Sequence, residues 1–277
     1  MLNAVKHLYR IVERMRNGAI ELFSCTRRNR RLSLVSGFQY SLLLLCLLLS
    51  NTGIAQVYTL KTLDGTSATI KLRYKPFTKY LTISCATDKL ILHEYWGPGE
   101  IKVINKKFLK IKYYIRGGSG IGLGNTLLLC VSHGKLWQAM HIESYSSNLN
   151  YSADLDSKRT TQKIIDARLA LDIADNARIV TYDTLVTGEN KNFRRSSATP
   201  KKDVIRFNLA RCIFYNYQKN FNVSLIEFIY NSNHTITTKK HFTGMAPAFQ
   251  LNNLEYIFVD SKWYIESNSR GEYFLAD

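Results

Sequence analysis

Apolar side chains recur at every second position along several stretches of this chain. That period belongs to a β-strand, whose successive side chains point to opposite faces. In 108–116, Leu109, Ile111, Tyr113 and Ile115 share one face, and Lys110, Lys112 and Arg116 share the other. In 165–173, Ile165, Ala167, Leu169, Leu171 and Ile173 alternate with Asp166, Arg168, Ala170 and Asp172. A helix over 162–174 is conceivable because that stretch lacks Gly and Pro, yet the alternation fits a strand better. Leu127-Leu128-Leu129-Cys130-Val131 is apolar at both parities, the pattern of a central strand covered on each side.

Turn residues punctuate these runs. His133-Gly134 separates 126–132 from 135–142 and suits a tight hairpin with positive φ at the glycine. Asp260-Ser261-Lys262 separates 254–259 from 263–266 in the same way. The pattern predicts an antiparallel all-β architecture, a sandwich or two packed β units. The polar stretch 144–161 is the candidate connection between a first unit, 56–143, and a second, 162–277, although 56–277 can equally form one domain. The basic stretch 189–203 reads as a second long loop.

The N-terminal region follows a different logic. Arg27-Arg28-Asn29-Arg30-Arg31 precedes a leucine-rich run, 42–49, and then the small residues Gly53 and Ala55. A basic segment, a short apolar run and small residues two apart make a secretory signal, 27–55, with cleavage after Ala55 and Gln56 as the mature N-terminus. The apolar run is about half the ~20 residues that span a bilayer. The alternative is a retained anchor over 32–54, which would bring the chain into membrane contact. Residues 1–26 are too long for the basic region of a signal and read as a start-site artefact or a cytoplasmic extension. After cleavage Cys85, Cys130 and Cys212 remain, an odd set without a CxxC spacing that allows at most one internal bridge and leaves its pairing open.

Charge needs dividing before it is read. Residues 1–55 carry eight Lys/Arg and two acids, which is +6 of the net +17 and leaves +11 for 56–277. That remainder favours an anionic neighbour, such as an acidic glycan or an envelope component, with nucleic acid the less expected partner. Its densest basic groups include Arg194-Arg195 with Lys201-Lys202. Exposed aromatics, foremost Tyr95-Trp96 but also Trp137, Tyr145, Tyr151, Trp263 and Tyr264, can offer flat faces to sugar rings. The expected binding residues are therefore Tyr95, Trp96, Arg194, Arg195, Lys201 and Lys202.

No catalytic constellation is complete. The glycine-rich segment 116–124 matches neither G-x-G-x-x-G nor a P-loop, and Ile121 stands where a nucleophile elbow needs its last glycine. Cys130-x-x-His133 with His141 has zinc-type ligands without a fourth ligand or the usual spacing. No metal or cofactor is expected. Glu94, Glu100, Asp154 and Asp156 are the acids a glycan hydrolase would draw on, at a separation the sequence does not define.

The segments FLKIKYYIRGGSG (108–120), TLLLCVSHGKLWQAMHI (126–142) and YIFVDSKWYIE (256–266), following an IAQ-type cleavage site, resemble a loose group of exported proteins of Gram-negative bacteria. The resemblance implies bacterial export and carries no site residue. The leading expectation is an exported protein of the periplasm, outer surface or medium with a non-enzymatic binding or structural role. Its partner would be an anionic or glycan polymer or an envelope protein. The alternatives are a secreted glycan hydrolase and a membrane-anchored assembly component.

Overall fold

A computed structural model describes residues 55–75, 79–86, 88–93, 95–115, 121–151, 159–189, 192–230, 235–267 and 271–276. The extension 1–26, the signal segment up to residue 54, residues 116–120 of the glycine-rich stretch, Glu94, Asp154 and Asp156 lie outside the described residues. The described residues are all-β, without a helix among them.

Four strands come first: β1 (Ala55–Lys61), β2 (Ser67–Lys75), β3 (Tyr80–Cys85) and β4 (Asp88–Leu92), an antiparallel sheet in chain order. Alternation decides its faces. Leu60, Ile70, Leu72, Leu81, Ile83, Cys85 and Leu92 point inward and are buried. They pack on Leu109, Ile111 and Tyr113 of β6 (Phe108–Ile115) and on Leu127, Leu129 and Val131 of β7 (Ile121–Ser132).

β6 and β7 belong to an eight-stranded sheet with β5 (Pro98–Ile104), β8 (Lys135–Tyr151), β9 (Arg159–Leu171) and β10 (Ala177–Glu189). β11 (Asn192–Ser197) and β12 (Lys201–Ile205) both pair with β10. The central strand behaves as its composition predicts. Leu127, Leu129 and Val131 face the four-stranded sheet, whereas Leu128 and Cys130 enter a second core on the other side. That second core includes Met140, Leu169, Ile179, Phe214 and Trp263. It joins the sheet to the short pair β13 (Phe207–Asn208) and β14 (Ile213–Phe214) and to a five-stranded closed barrel. The barrel comprises β15 (Tyr217–Tyr230), β16 (Thr235–Leu251), β17 (Leu254–Val259), β18 (Lys262–Glu266) and β19 (Glu272–Leu275). Its strands are antiparallel except where β15 and β19 meet in parallel and close it.

Several expectations are corrected. The stretch 144–161 is no connection between units. Its first part continues β8, its last residues begin β9, and the two pair from Tyr145↔Asp166 to Tyr151↔Thr160. Polar side chains are no bar to a strand, because backbone pairing satisfies the ladder whatever the side chains, and Ser144 and Ser147 are buried in it. The change of architecture comes later, between β12 and β15. The expected loop 189–203 is mostly two strands on the edge of β10. Ile173 is not on the buried face of β9. It stands fully exposed in a turn where the Asp172 carboxylate accepts from the N–H groups of Ala174 and Asn176.

Lys110, expected on a polar face, is buried because both faces of β6 are covered. Its ammonium reaches Glu100 at 2.9 Å and donates to the Leu169 carbonyl at 3.2 Å. The turn after β17 takes two residues rather than three, since Val259 pairs directly with Lys262.

The β7–β8 turn forms as expected. Ser132 pairs with Lys135, and His133 and Gly134 have φ of 50° and 73°, the left-handed pair of a type I′ hairpin. Gly134→Val should lower the unfolding free energy by about 1–2 kcal/mol, since a β-branched residue resists that conformation. Chemical denaturation of the variant beside wild type measures it, and an unchanged midpoint would show that the turn does not require glycine.

Candidate functional site

The residues singled out by sequence do not converge. Tyr95 is buried, its ring against Tyr74 at 5.1 Å and Tyr113 at 5.6 Å, so it offers no face to a ligand. Trp96 is exposed, with the Lys79 ammonium 3.0 Å from its ring centroid. Trp263 and Tyr264 are core residues.

Arg194, Arg195, Lys201 and Lys202 are all exposed, as a basic surface requires. Arg195 lies opposite Val186 and Lys202 opposite Val180, six residues apart on β10, so they stand about 20 Å from each other. Arg194 and Lys201, opposite Thr187 and Thr181, fall on the other face. The four are thus separated by distance or by face and do not form one patch.

Cys130, His133 and His141 are likewise dispersed. The Cys130 thiol donates to the Cys212 carbonyl at 3.6 Å in the second core. His133 is exposed in its turn, and the buried His141 meets the Tyr113 hydroxyl at 2.8 Å on the opposite side of the sheet. Among the described residues, no three His, Cys, Asp or Glu side chains form a metal-type cluster.

The described carboxylates are mostly settled anions. Glu100 meets Lys102 at 2.6 Å and Lys110 at 2.9 Å. Burial pushes its carboxyl up, but those ammonium groups outweigh burial and hold it below the usual range. Glu255, buried on β17, accepts from the hydroxyls of Tyr273 (2.7 Å) and Tyr217 (2.8 Å) and from Lys219. Burial raises it too, and these donors again win. Both are poor proton donors near neutral pH. Glu143 alone is pushed upward, by burial, with a hydrogen bond from Ser146 opposing.

A coherent site appears on the outer face of β1–β4. Alternation that turns Ile70 and Leu72 inward turns Lys71 and Arg73 outward, and Lys61 and Lys89 are exposed beside them. Register places Val57, Lys71, Ser84 and Lys89 in one row across the sheet. Lys71 and Lys89 are thus two strands apart, about 10 Å, with Arg73 about 7 Å along β2 from Lys71. Thr59, Thr69, Thr82 and Ser84 fill intervening outward positions. Among the described outward positions of these strands there is no carboxylate, and among the described residues no salt bridge engages any of the four cations.

At one end this face runs into an open groove of about 490 Å³ lined by Thr62, Thr66, Ser67, Thr69, Ser84 and Lys71, among others. Among the described residues, no Asp or Glu lines it. Hydroxyls donate to and accept from sugar hydroxyls, while the ammonium binds carboxylate or sulfate oxygens. The sequence signal was present in the alternating SATIKLRYK of β2, whose lysines and arginine look like isolated charges until the strands are paired. No family model, curated protein or solved structure matches the chain.

Proposed function

We propose that this chain is an exported, non-enzymatic binding protein of the cell envelope or medium that holds an acidic polysaccharide against the outer face of β1–β4. The observation that carries the reading is the row of outward cations with hydroxyls between them and no facing carboxylate. Like charges held within about 10 Å repel one another, and a polyanion that neutralises several of them together removes that repulsion. The hydroxyl-lined groove favours a sugar polymer over a simple polyanion, since it adds uncharged hydrogen-bonding positions next to Lys71. Export is supported by the basic, leucine-rich and small-residue pattern of 27–55.

The test is binding of a carboxylated or sulfated polysaccharide by the purified protein at several salt concentrations. Affinity should fall as salt rises through about 0.1 M, where charges are screened beyond ~10 Å. Lys71→Glu, Arg73→Glu and Lys89→Glu together should weaken binding by about tenfold or more, roughly 1.4 kcal/mol or more. The quartet Arg194→Glu, Arg195→Glu, Lys201→Glu and Lys202→Glu should weaken it less. Salt-independent binding abolished by Trp96→Ala would replace this reading with a neutral-glycan site. Release of shortened saccharides by the wild-type protein would overturn it in favour of hydrolysis.

A further inference from the structure

Three described cysteines are buried and none is bridged, yet they are not equivalent. Cys85 lies on β3 in the core beneath the four-stranded sheet, where it is the one cysteine of that cluster. Cys130 and Cys212 share the second core, although they are 82 positions apart in the chain. Their contact is direct. The Cys130 thiol donates to the Cys212 carbonyl at 3.6 Å, and the two thiols also interact with each other. Ser132, two residues further along β7 and so on the same side as Cys130, lies close enough to Cys212 to lower its thiol pKa. Cys212 itself is fixed by its turn, with φ of 59° and its N–H donating to the Leu209 carbonyl at 3.3 Å. Cys212 is therefore held beside Cys130 on β7, its own thiol donating to the Leu209 carbonyl at 3.6 Å.

We propose that Cys130 and Cys212 form an internal disulfide, made by exchange with an external disulfide such as oxidised glutathione or the active-site disulfide of an oxidoreductase. The two sulfurs have different roles in that exchange. Cys130 and Ser132 close beside it, together with nearby His133, outweigh burial and bring the Cys212 thiol down to about 6. The Cys130 thiol is pushed up by the same partner and by burial. Cys212 is also the less enclosed, at 6% exposure against 0% for Cys130. Cys212 is thus the attacking thiolate.

It displaces one thiolate from the external disulfide and leaves Cys212 in a mixed disulfide. Cys130 then gives up its proton and attacks the Cys212 sulfur, expelling the second thiolate. In sum, two protein thiols are oxidised to one disulfide and the external disulfide is reduced to two thiols. The bridge ties the central strand β7 to the segment between β12 and the barrel, where the chain passes from one architecture to the other.

The experiment uses the full chain, folded and incubated with oxidised glutathione, then alkylated in denaturant and digested with trypsin. The expected product is a species two hydrogens lighter than the sum of peptides 117–135 and 212–219, joined through Cys130 and Cys212. Cys85 in peptide 80–89 should be alkylated. The oxidised protein should melt about 10 °C above the reduced one, in line with a bridge closing a long loop. Cys85→Ser should leave the linked species intact, and Cys212→Ser should abolish it. The wild-type peptide map decides the matter even if a variant fails to fold. Full alkylation of Cys130 and Cys212 after oxidation, a persistent glutathione adduct on Cys212, or linkage of either residue to Cys85 would each overturn the assignment.

Discussion

Trp263→Ala is expected to lower the unfolding free energy by about 4 kcal/mol. Trp263 is completely buried on β18 at the junction between barrel and sheet. Its ring packs on Phe249 at 5.1 Å and on Phe258 at 5.0 Å, and its indole N–H donates to the Gln138 carbonyl of β8 at 2.8 Å. Truncation removes the burial and leaves a cavity between two layers that cannot both move to fill it. It also removes the indole donor to the half-buried Gln138 carbonyl, which adds the cost of a lost hydrogen bond.

Such a loss corresponds to about 10 °C in melting temperature for a chain of this size. Trp263→Phe should keep much of the packing and lose the hydrogen bond, so its cost should fall well below that of alanine. Trp96→Ala, at an exposed loop, should change stability by only about 0.5 kcal/mol. Equal effects at Trp96 and Trp263 would refute the junction's role as the place where barrel and sheet are held together.

The elements legible in sequence are those whose information is local. β6 and β7 show their period within a single strand, and the His133-Gly134 turn announces itself through a glycine that the left-handed region requires. What escaped is non-local. Nothing near β15 or β19 signals that these strands meet in parallel and close a barrel, because the pairing joins residues such as Ser224 and Glu272 across three intervening strands. β11 escaped because its described side chains are exposed, and β12 because only Ile205 at its end is buried, so no alternating apolar face marks either as a strand.

The same division explains the site. Arg194-Arg195 and Lys201-Lys202 are conspicuous as sequence neighbours, yet a strand sends adjacent residues to opposite faces, and the pleat separates them. Lys71 and Lys89 are inconspicuous, and only the Lys71↔Ser84↔Lys89 row brings them together. Tyr95 and Trp96 show the rule at its smallest scale, one ring in the core and the next in solvent.

Acid should destabilise the fold before its carboxylates titrate, and His141 is the principal cause. The Tyr113 hydroxyl and His141 Nε2 stand 2.8 Å apart, and Asn125 donates to the Tyr113 oxygen at 3.5 Å. The enclosed ring is neutral in the folded state. Burial pushes the His141 pKa down from 6.5 to about 3. Because the folded pKa lies below the unfolded one, the unfolded chain binds the extra proton as pH falls. The stabilisation is complete above about pH 6.5 and declines below it by about 1.4 kcal/mol per pH unit.

Between pH 6.5 and 4.5 the loss should reach about 2–3 kcal/mol, read from denaturation midpoints across that range. His93, also pushed down by burial and by nearby Lys262, adds to the slope in the same direction. His141→Gln keeps an acceptor for Tyr113 and cannot gain a proton in this range. It should cost some stability at pH 7 and flatten the decline below pH 6.5 to the part that His93 contributes. An undiminished slope in that variant would show that His141 is solvated in the folded protein and that its bond to Tyr113 does not form.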